Sequence, residues 1–304
     1  MIFHTKTQSS LMLFFIFMAN FVIHGQVDSN SKVPLHQLRL TSTFADNRED
    51  HFHTGIDIAH PGIPIITFHE SEELVFYTHD RPGSIKYGNG LFVITHSKDL
   101  KILTNYSHIK ESTINPEKTI YSAGEVLAEI GNTGRSSGPH LHIELFNYIE
   151  KRLYNPLKFI NFDDKTPPVV SDVYFIADDS SKISLTKGGV QNLIRGGKLF
   201  VSCHDRIENS PYFLTPYKID FYIDGIRRLS LSFDSLIAQN SEFVTEASLF
   251  SFNTVYSNNK NFEYYIGDFY SLPGVRGVKI DVFDFKGNKA EFKRPLRISS
   301  PKIE

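Results

Sequence analysis

The sequence predicts an all-β protein of two antiparallel β units in tandem. Three observations carry this: short apolar segments that alternate with polar residues, turn residues between them, and no long stretch with a helical 3.6-residue period. In the first half, residues 91–96, 101–106 and 140–145 read as strands bounded by Gly, Asp or Pro. In the second, residues 217–223 run into Asp224-Gly225, a two-residue hairpin signal. Residues 278–284 meet a turn at Lys286-Gly287-Asn288, and a returning strand reaches Ile298. Such repeated alternation predicts an immunoglobulin-like β-sandwich for the second half. Residues 161–168 are polar and end in Pro167-Pro168, which breaks both helix and central strand, so the boundary is expected at about Lys165.

Composition bounds the function. With 304 residues, a formal net charge of −2, 40% hydrophobic and 13% aromatic residues, the chain can bury two cores and lacks the basic footprint that gripping a phosphate backbone requires. Lys6 precedes an apolar run over residues 11–23, shorter than a bilayer span, which reads as the core of a signal peptide cut near Gly25-Gln26, with a short membrane anchor as the alternative because no clean A-x-A site is present. This gives expected units of 1–25 (signal peptide), 26–165 and 166–304, with no stable membrane insertion after cleavage. Cys203 is the only cysteine, so no disulfide framework accompanies export. Beyond residue 165 the only histidine is His204, which places any imidazole chemistry in the first half.

Three groups of residues there can carry chemistry. On a strand, His140 and His142 project from one face, so both imidazoles can enter one cleft while Leu141 and Ile143 pack behind. His53 and Asp57, in HTGIDIA, offer an imidazole and a carboxylate, donors that Zn²⁺ accepts. Asp57 stands among apolar neighbours and is costly to bury unless paired or metal-bound. His108 closes a Tyr-x-His triplet at a strand end. Taken singly, each has a plainer reading as a strand, turn or surface residue. The glycine-rich loop before His140 is no phosphate cradle, because no Gly-Lys-Ser/Thr follows.

Together, and in this order, these groups resemble the lysostaphin-like (LytM, M23-type) zinc metallopeptidases. H-x-x-x-D appears as His53 to Asp57, preceded by Phe44-Ala45-Asp46-Asn47-Arg48, similar to the family's S-x-F-G-x-R lead. Tyr87-Gly88-Asn89-Gly90, His96 and the Tyr106–His108 triplet follow. The closing G-x-T-G-x-S-x-G-P-H-L-H-x-E is matched in full by GNTGRSSGPHLHIE, residues 131–144. The resemblance covers about residues 38–144. It implies a lysostaphin-like antiparallel β-sheet domain in which His53, Asp57 and His142 bind one Zn²⁺, leaving a fourth position open. His108 and His140 would stand beside the metal as catalytic groups.

The implied function is an exported bacterial zinc endopeptidase, periplasmic or extracellular, acting on peptidoglycan stem peptides or crosslinks. Two alternatives are a non-catalytic cell-wall hydrolase regulator, which the intact ligand set argues against, and a zinc peptidase of extracellular proteins. Ala45 stands where glycine is usual, Ile109 follows His108 where leucine is common, and one extra residue separates Phe44 from Arg48, so the loop over the cleft is expected to differ. The second half reads as an accessory or docking domain. Its acidic residues Asp205, Asp220, Asp224, Asp281 and Asp284 read as turn and solvent-face positions rather than calcium ligands.

Overall fold

The computed structural model describes residues 39–59, 64–67, 69, 71–78, 88–160, 162–208 and 210–300. The expected signal peptide lies outside them, as does Tyr87. Among the described residues no helix is long and apolar enough to cross a membrane.

The described residues are nearly all-β, in mainly antiparallel sheets as the alternation predicts, with helical turns only at Pro156–Phe159 and Phe252–Val255. The expected strands form as Phe92–Ser97, Ile102–Ser107 and Leu141–Asn147. They lie in one antiparallel sheet whose order is Glu242–Thr245, Ser235–Gln239, Arg152–Tyr154, Leu141–Asn147, Ile102–Ser107, Phe92–Ser97, Glu72–Tyr77, Ile120–Tyr121. The alternation dictates its faces: Leu141, Ile143 and Leu145 are buried in the core while His142 and Glu144 face the other way. Full burial of a side chain such as Ile143 contributes about 2 kcal/mol, so this register is strongly fixed.

Two short strands complete the site. Ile56–Ile58 pairs antiparallel with the start of Leu141–Asn147 and with Leu40–Ser42. Asp57 therefore sits directly opposite His142, while Ser107 pairs with His142 from the other edge. One row across three strands thus holds Asp57 and His142 and delivers His108 next to them.

In the second half, two sheets face each other. One runs Lys182–Ser184, Val169–Ala177, Gly196–His204, Glu263–Tyr270; the other runs Gln191–Ile194, Lys289–Ser299, Gly274–Phe283, Lys218–Ile223, Ile226–Ser232. Phe221 meets Phe269 edge-on at 5.2 Å and Phe175 at 6.4 Å, which locates the layer between them. The Asp224-Gly225 turn forms as expected, with φ of 48° and 81°, the left-handed pair of a tight hairpin. Gln191–Ile194 pairs parallel with Lys289–Ser299.

The connection at 161–168 does not end the exchange between the halves. Ser235–Gln239 and Glu242–Thr245, from the second half, extend the first half's sheet through Arg152–Tyr154. The described residues belong to one compact unit. The second half also braces the loop that leads to His53. The Thr215 amide donates to Thr43 Oγ1 at 3.0 Å, the Tyr256 hydroxyl donates to the Ala45 carbonyl at 2.8 Å, and Phe252 packs on Phe52 at 5.5 Å.

The reading of the second half's acidic residues needs correction. Asp224 is exposed, but Asp205, Asp220, Asp281 and Asp284 are buried. Asp220 is held by Lys218 at 2.8 Å and by the Ser230 hydroxyl at 2.7 Å, and Asp281 by Lys279 at 2.7 Å. Asp284 caps the turn by accepting from the Asn288 amide at 2.8 Å. Same-strand lysines two residues away, the cross-strand Ser230 and the turn at Asn288 supply these partners, which offsets the desolvation of a buried carboxylate.

Candidate metal centre

His53, Asp57 and His142 converge. Their candidate ligand atoms lie within 4.8 Å of one another, and all three residues are buried. His53 Nε2 lies 3.0 Å from His142 Nδ1 and 3.1 Å from Asp57 Oδ1, and His142 Nδ1 lies 2.9 Å from Asp57 Oδ1.

The residues around the trio decide which atoms are available. His53 Nδ1 is 2.7 Å from the Thr43 carbonyl, which can only accept, so the proton sits on Nδ1 and Nε2 presents its lone pair. His142 Nε2 lies 3.7 Å from Glu144 Oε2, leaving Nδ1 to face the trio. Arg48 Nη2 lies 2.5 Å from Asp57 Oδ2 and so aims the other carboxylate oxygen inward. The extra residue after Phe44 therefore does not keep Arg48 away. Ala45, at the usual glycine position, has φ 66°, the left-handed region that glycine adopts without strain. These partners orient a ligand set as outer-shell groups do in metal proteins.

Electrostatics point the same way. Burial would raise Asp57, but the charge of His53 and the hydrogen bonds of His142 and His53 hold its carboxyl well below the usual range. Burial holds the His53 imidazole down. For His142 burial also works downward, yet its hydrogen bonds to Asp57 and Glu144 win and push it up to about 9. A buried carboxylate thus keeps one proton beside it on His142, a place that a cation can take over.

His108 and His140 stand next to the trio, their rings 4.5 Å apart at the centroids. His108 follows directly on Ile102–Ser107 with φ 60°, an uncommon conformation for a residue with a side chain, which turns the ring into the cleft. Its Nδ1 is 2.7 Å from the Thr133 carbonyl, and His140 Nδ1 is 2.8 Å from the Gly138 carbonyl. In the neutral form each ring therefore carries its proton on Nδ1 and offers Nε2 as the acceptor. His140 Nε2 lies 3.9 Å from Asp57 Oδ1. Burial lowers the His108 pKa to about 4, against the Thr133 carbonyl, so the ring is neutral near pH 7. His96, in contrast, pairs with the Tyr148 hydroxyl at 3.2 Å and does not line the cleft.

The glycines of the loop serve close backbone contact. A Cβ on Gly134, whose φ is 77°, would lie 2.3 Å from the Gly90 nitrogen, and one on Gly90 would lie 2.4 Å from the Thr133 carbonyl carbon. This contact holds Thr133 where its carbonyl meets His108. Gly55 is tighter still: a Cβ there would lie 2.1 Å from the Ile143 oxygen and 2.8 Å from His142 Cε1. Gly55→Ala is expected to destabilise the protein by about 1–3 kcal/mol and, if the trio binds zinc as proposed below, to weaken that binding at least tenfold by displacing His142. Denaturant midpoints and a chelator competition titration measure both; unchanged zinc affinity would show that His142 does not depend on this contact.

All five predicted site residues line one cleft of about 730 Å³. Its walls also include Arg48, Asn89 and Arg135, and Tyr212 reaches it from the second half.

Residues 51–156 match the model described as Peptidase family M23. The M23 match spans all five site residues, whereas Arg48 and Tyr212 fall outside it. A separate family model matches residues 167–299. Over 93 residues the chain is 39% identical to the DD-carboxypeptidase/endopeptidase Mpg of Neisseria meningitidis, covering 30% of this chain and 19% of the relative. Over 107 residues it is 33% identical to the peptidoglycan DD-endopeptidase ShyA of Vibrio cholerae, covering 35% and 22%. The chain thus spans about a fifth of the length of these curated relatives. Among solved structures, a point mutant of the catalytic domain of the prophage-encoded M23 protein EnpA from Enterococcus faecalis aligns at 27% identity over 36% of this chain and 81% of that one, with a TM-score of 0.31.

Glu144 and Arg48 are supporting residues to which the ligand spacing alone assigns no role. Alternation signals the first, since His140, His142 and Glu144 recur every second residue. For Arg48 the signal is its place in the lead before His53; its partner Asp57 follows only from the fold.

Proposed function

We propose that the chain is an exported bacterial zinc metalloendopeptidase that hydrolyses peptide crosslinks of peptidoglycan. The observation that carries this reading is the buried trio of His53, Asp57 and His142 with the free Nε2 atoms of His108 and His140 beside it. The trio supplies two imidazoles and one carboxylate, a donor set that fits zinc and leaves a position open to substrate. Bound there, zinc supplies Lewis acidity, activating water and polarising the scissile carbonyl.

The chain's own residues do the rest. His108 Nε2 and His140 Nε2 accept the proton released in the attack and return one to the leaving amine. Arg48 and Glu144 hold Asp57 and His142 in place. The cleft wall is polar, and Arg135 suits the free carboxylates of a stem peptide. The two curated relatives are both named for DD-endopeptidase activity, which supports a D,D-peptide bond as the one cut. The units 26–165 (peptidase) and 166–304 (immunoglobulin-like, with an accessory role at the cleft) belong to this proposal.

The test is digestion of purified peptidoglycan sacs by zinc-loaded protein, with new amino termini quantified and products identified by mass. Release that stops on chelation and returns with zinc is expected; no release from sacs, with cleavage of glycine-rich protein instead, would overturn the substrate assignment. Tyr212 gives a second measurement. Tyr212→Ala is expected to raise KM about fivefold, the loss of one aromatic contact of roughly 1 kcal/mol, with kcat near the parent value; an unchanged KM would remove the second half from substrate binding.

A further inference from the structure

A second trio of carboxylates stands apart from the candidate zinc site. Asp164, Asp205 and Asp284 bring one oxygen each within 4.8 Å of the others. They come from three places: the connection between the halves, the residue after strand Gly196–His204, and the residue after Gly274–Phe283. Asp205 is 7% exposed and Asp284 1%. Among the described residues no lysine, arginine or histidine forms an ion pair with any of the three.

Hydrogen bonds within the trio's surroundings are selective. Asp284 Oδ1 accepts from the Asn288 amide at 2.8 Å and Oδ2 from the Asn288 side chain at 2.6 Å; Asp164 Oδ1 accepts from the Thr166 amide at 2.9 Å. Asn288 Nδ2 also donates to the Asp164 carbonyl at 3.0 Å, tying two of the three carboxylate-bearing segments together. Asp205 differs. Its Oδ1 is buried and has no hydrogen-bond partner among the described residues. Asp164 and Asp205 also line a small cavity of about 20 Å³, more than the roughly 10–15 Å³ that one water needs. Leu40 and Leu157 of the first half also line it.

We propose that Asp164, Asp205 and Asp284 bind a divalent cation of the calcium class at the junction of the two halves. Three carboxylates gathered without a counter-charge oppose folding through both desolvation and mutual repulsion. A hard cation relieves both and gives the orphan oxygen of Asp205 its partner. The donors are all oxygen, which selects calcium or magnesium over zinc, and calcium accepts the irregular geometry of carboxylates drawn from three separate segments. The site ties the connecting segment to both sheets of the second half, so occupancy stiffens the support of the cleft.

The test uses the full mature chain, zinc-saturated, with CaCl₂ alone as the probe. About ten millimolar Ca²⁺ is expected to raise Tm by about 5 °C, given millimolar-class or tighter affinity. Tb³⁺ is expected to luminesce on tyrosine excitation, since Tyr217 lines the same cavity and the chain has no tryptophan. Asp205→Asn and, independently, Asp284→Asn should lose the Tm rise while keeping bound zinc. His142→Ala should keep the rise, which separates this site from the zinc reading. A parent protein without Tm rise or Tb³⁺ signal overturns the proposal, as does a rise of equal size in Asp205→Asn. The outcome in which the trio only shares a proton also overturns it, and is recognised by Asp205→Asn stabilising the protein above about pH 8 with no calcium response in the parent.

Discussion

A His142→Ala protein is expected to retain less than about a tenth of the parent's zinc and to lose turnover by at least ~10³-fold, the several kcal/mol that a Lewis-acid metal supplies. The side chain is central to the trio, with Nδ1 at 3.0 Å from His53 and 2.9 Å from Asp57. Without it two ligands remain, too few for a catalytic zinc site. Elemental analysis gives the metal content, and release of amino termini from sacs gives the rate. Full zinc occupancy in the variant would sink the assignment. The parent protein offers an independent check. Against burial, the Asp57 and Glu144 contacts hold metal-free His142 at about 9, above its unfolded value, so their stabilisation is full below about pH 6.5 and fades as pH rises through 9. Metal-free protein is accordingly expected to weaken between about pH 7 and 9. Zinc uptake at about pH 7.5 should release about one proton, measurable calorimetrically in buffers of different ionisation enthalpy.

His108→Ala and His140→Ala should behave differently, keeping zinc and losing kcat by about 10²–10⁴-fold, the range for a positioned proton-transfer group. Neither ring's Nε2 takes part in the trio's close contacts, although His140 Nε2 lies 3.9 Å from Asp57. Each ring is fixed instead by a main-chain carbonyl. With its pKa lowered to about 4 by burial, His108 is ready to accept a proton throughout the physiological range. If the two rings act as a unit, the double variant is expected to be little worse than either single one. Steady-state kinetics on a defined muropeptide with zinc measured in parallel would decide; loss of zinc in either variant would move that residue into the ligand set.

Much of this was legible in the sequence because it is written locally. The strands 92–97, 102–107 and 141–147 follow from two-residue alternation, and the Asp224-Gly225 turn from its chemistry. His53, Asp57, His108, His140 and His142 stood out only together, through the resemblance of their ordered motifs to the lysostaphin-like zinc peptidases. What stayed hidden depends on contacts far apart in the chain. Nothing in the alternation of Ser235–Gln239 tells that it will pair with Arg152–Tyr154. Asp220 and Asp281 have lysines two residues before them on their own strands, but the Ser230 hydroxyl reaches Asp220 only through the pairing of Lys218–Ile223 with Ile226–Ser232. Asp205 could be read as a turn residue until its neighbours Asp164 and Asp284 were in place.

The brace on the loop before His53 has a consequence for how such a chain can be rearranged. Thr215, Tyr256 and Phe252 hold Thr43, Ala45 and Phe52, and the hairpin Ser235–Gln239 with Glu242–Thr245 closes the sheet edge. A cut at the two prolines would leave an uncovered strand edge and strip apolar cover from Phe52. The first half is therefore not an interchangeable cassette. Recombination that moved it to another partner would have to carry residues 212–256 along, or evolve a substitute for them.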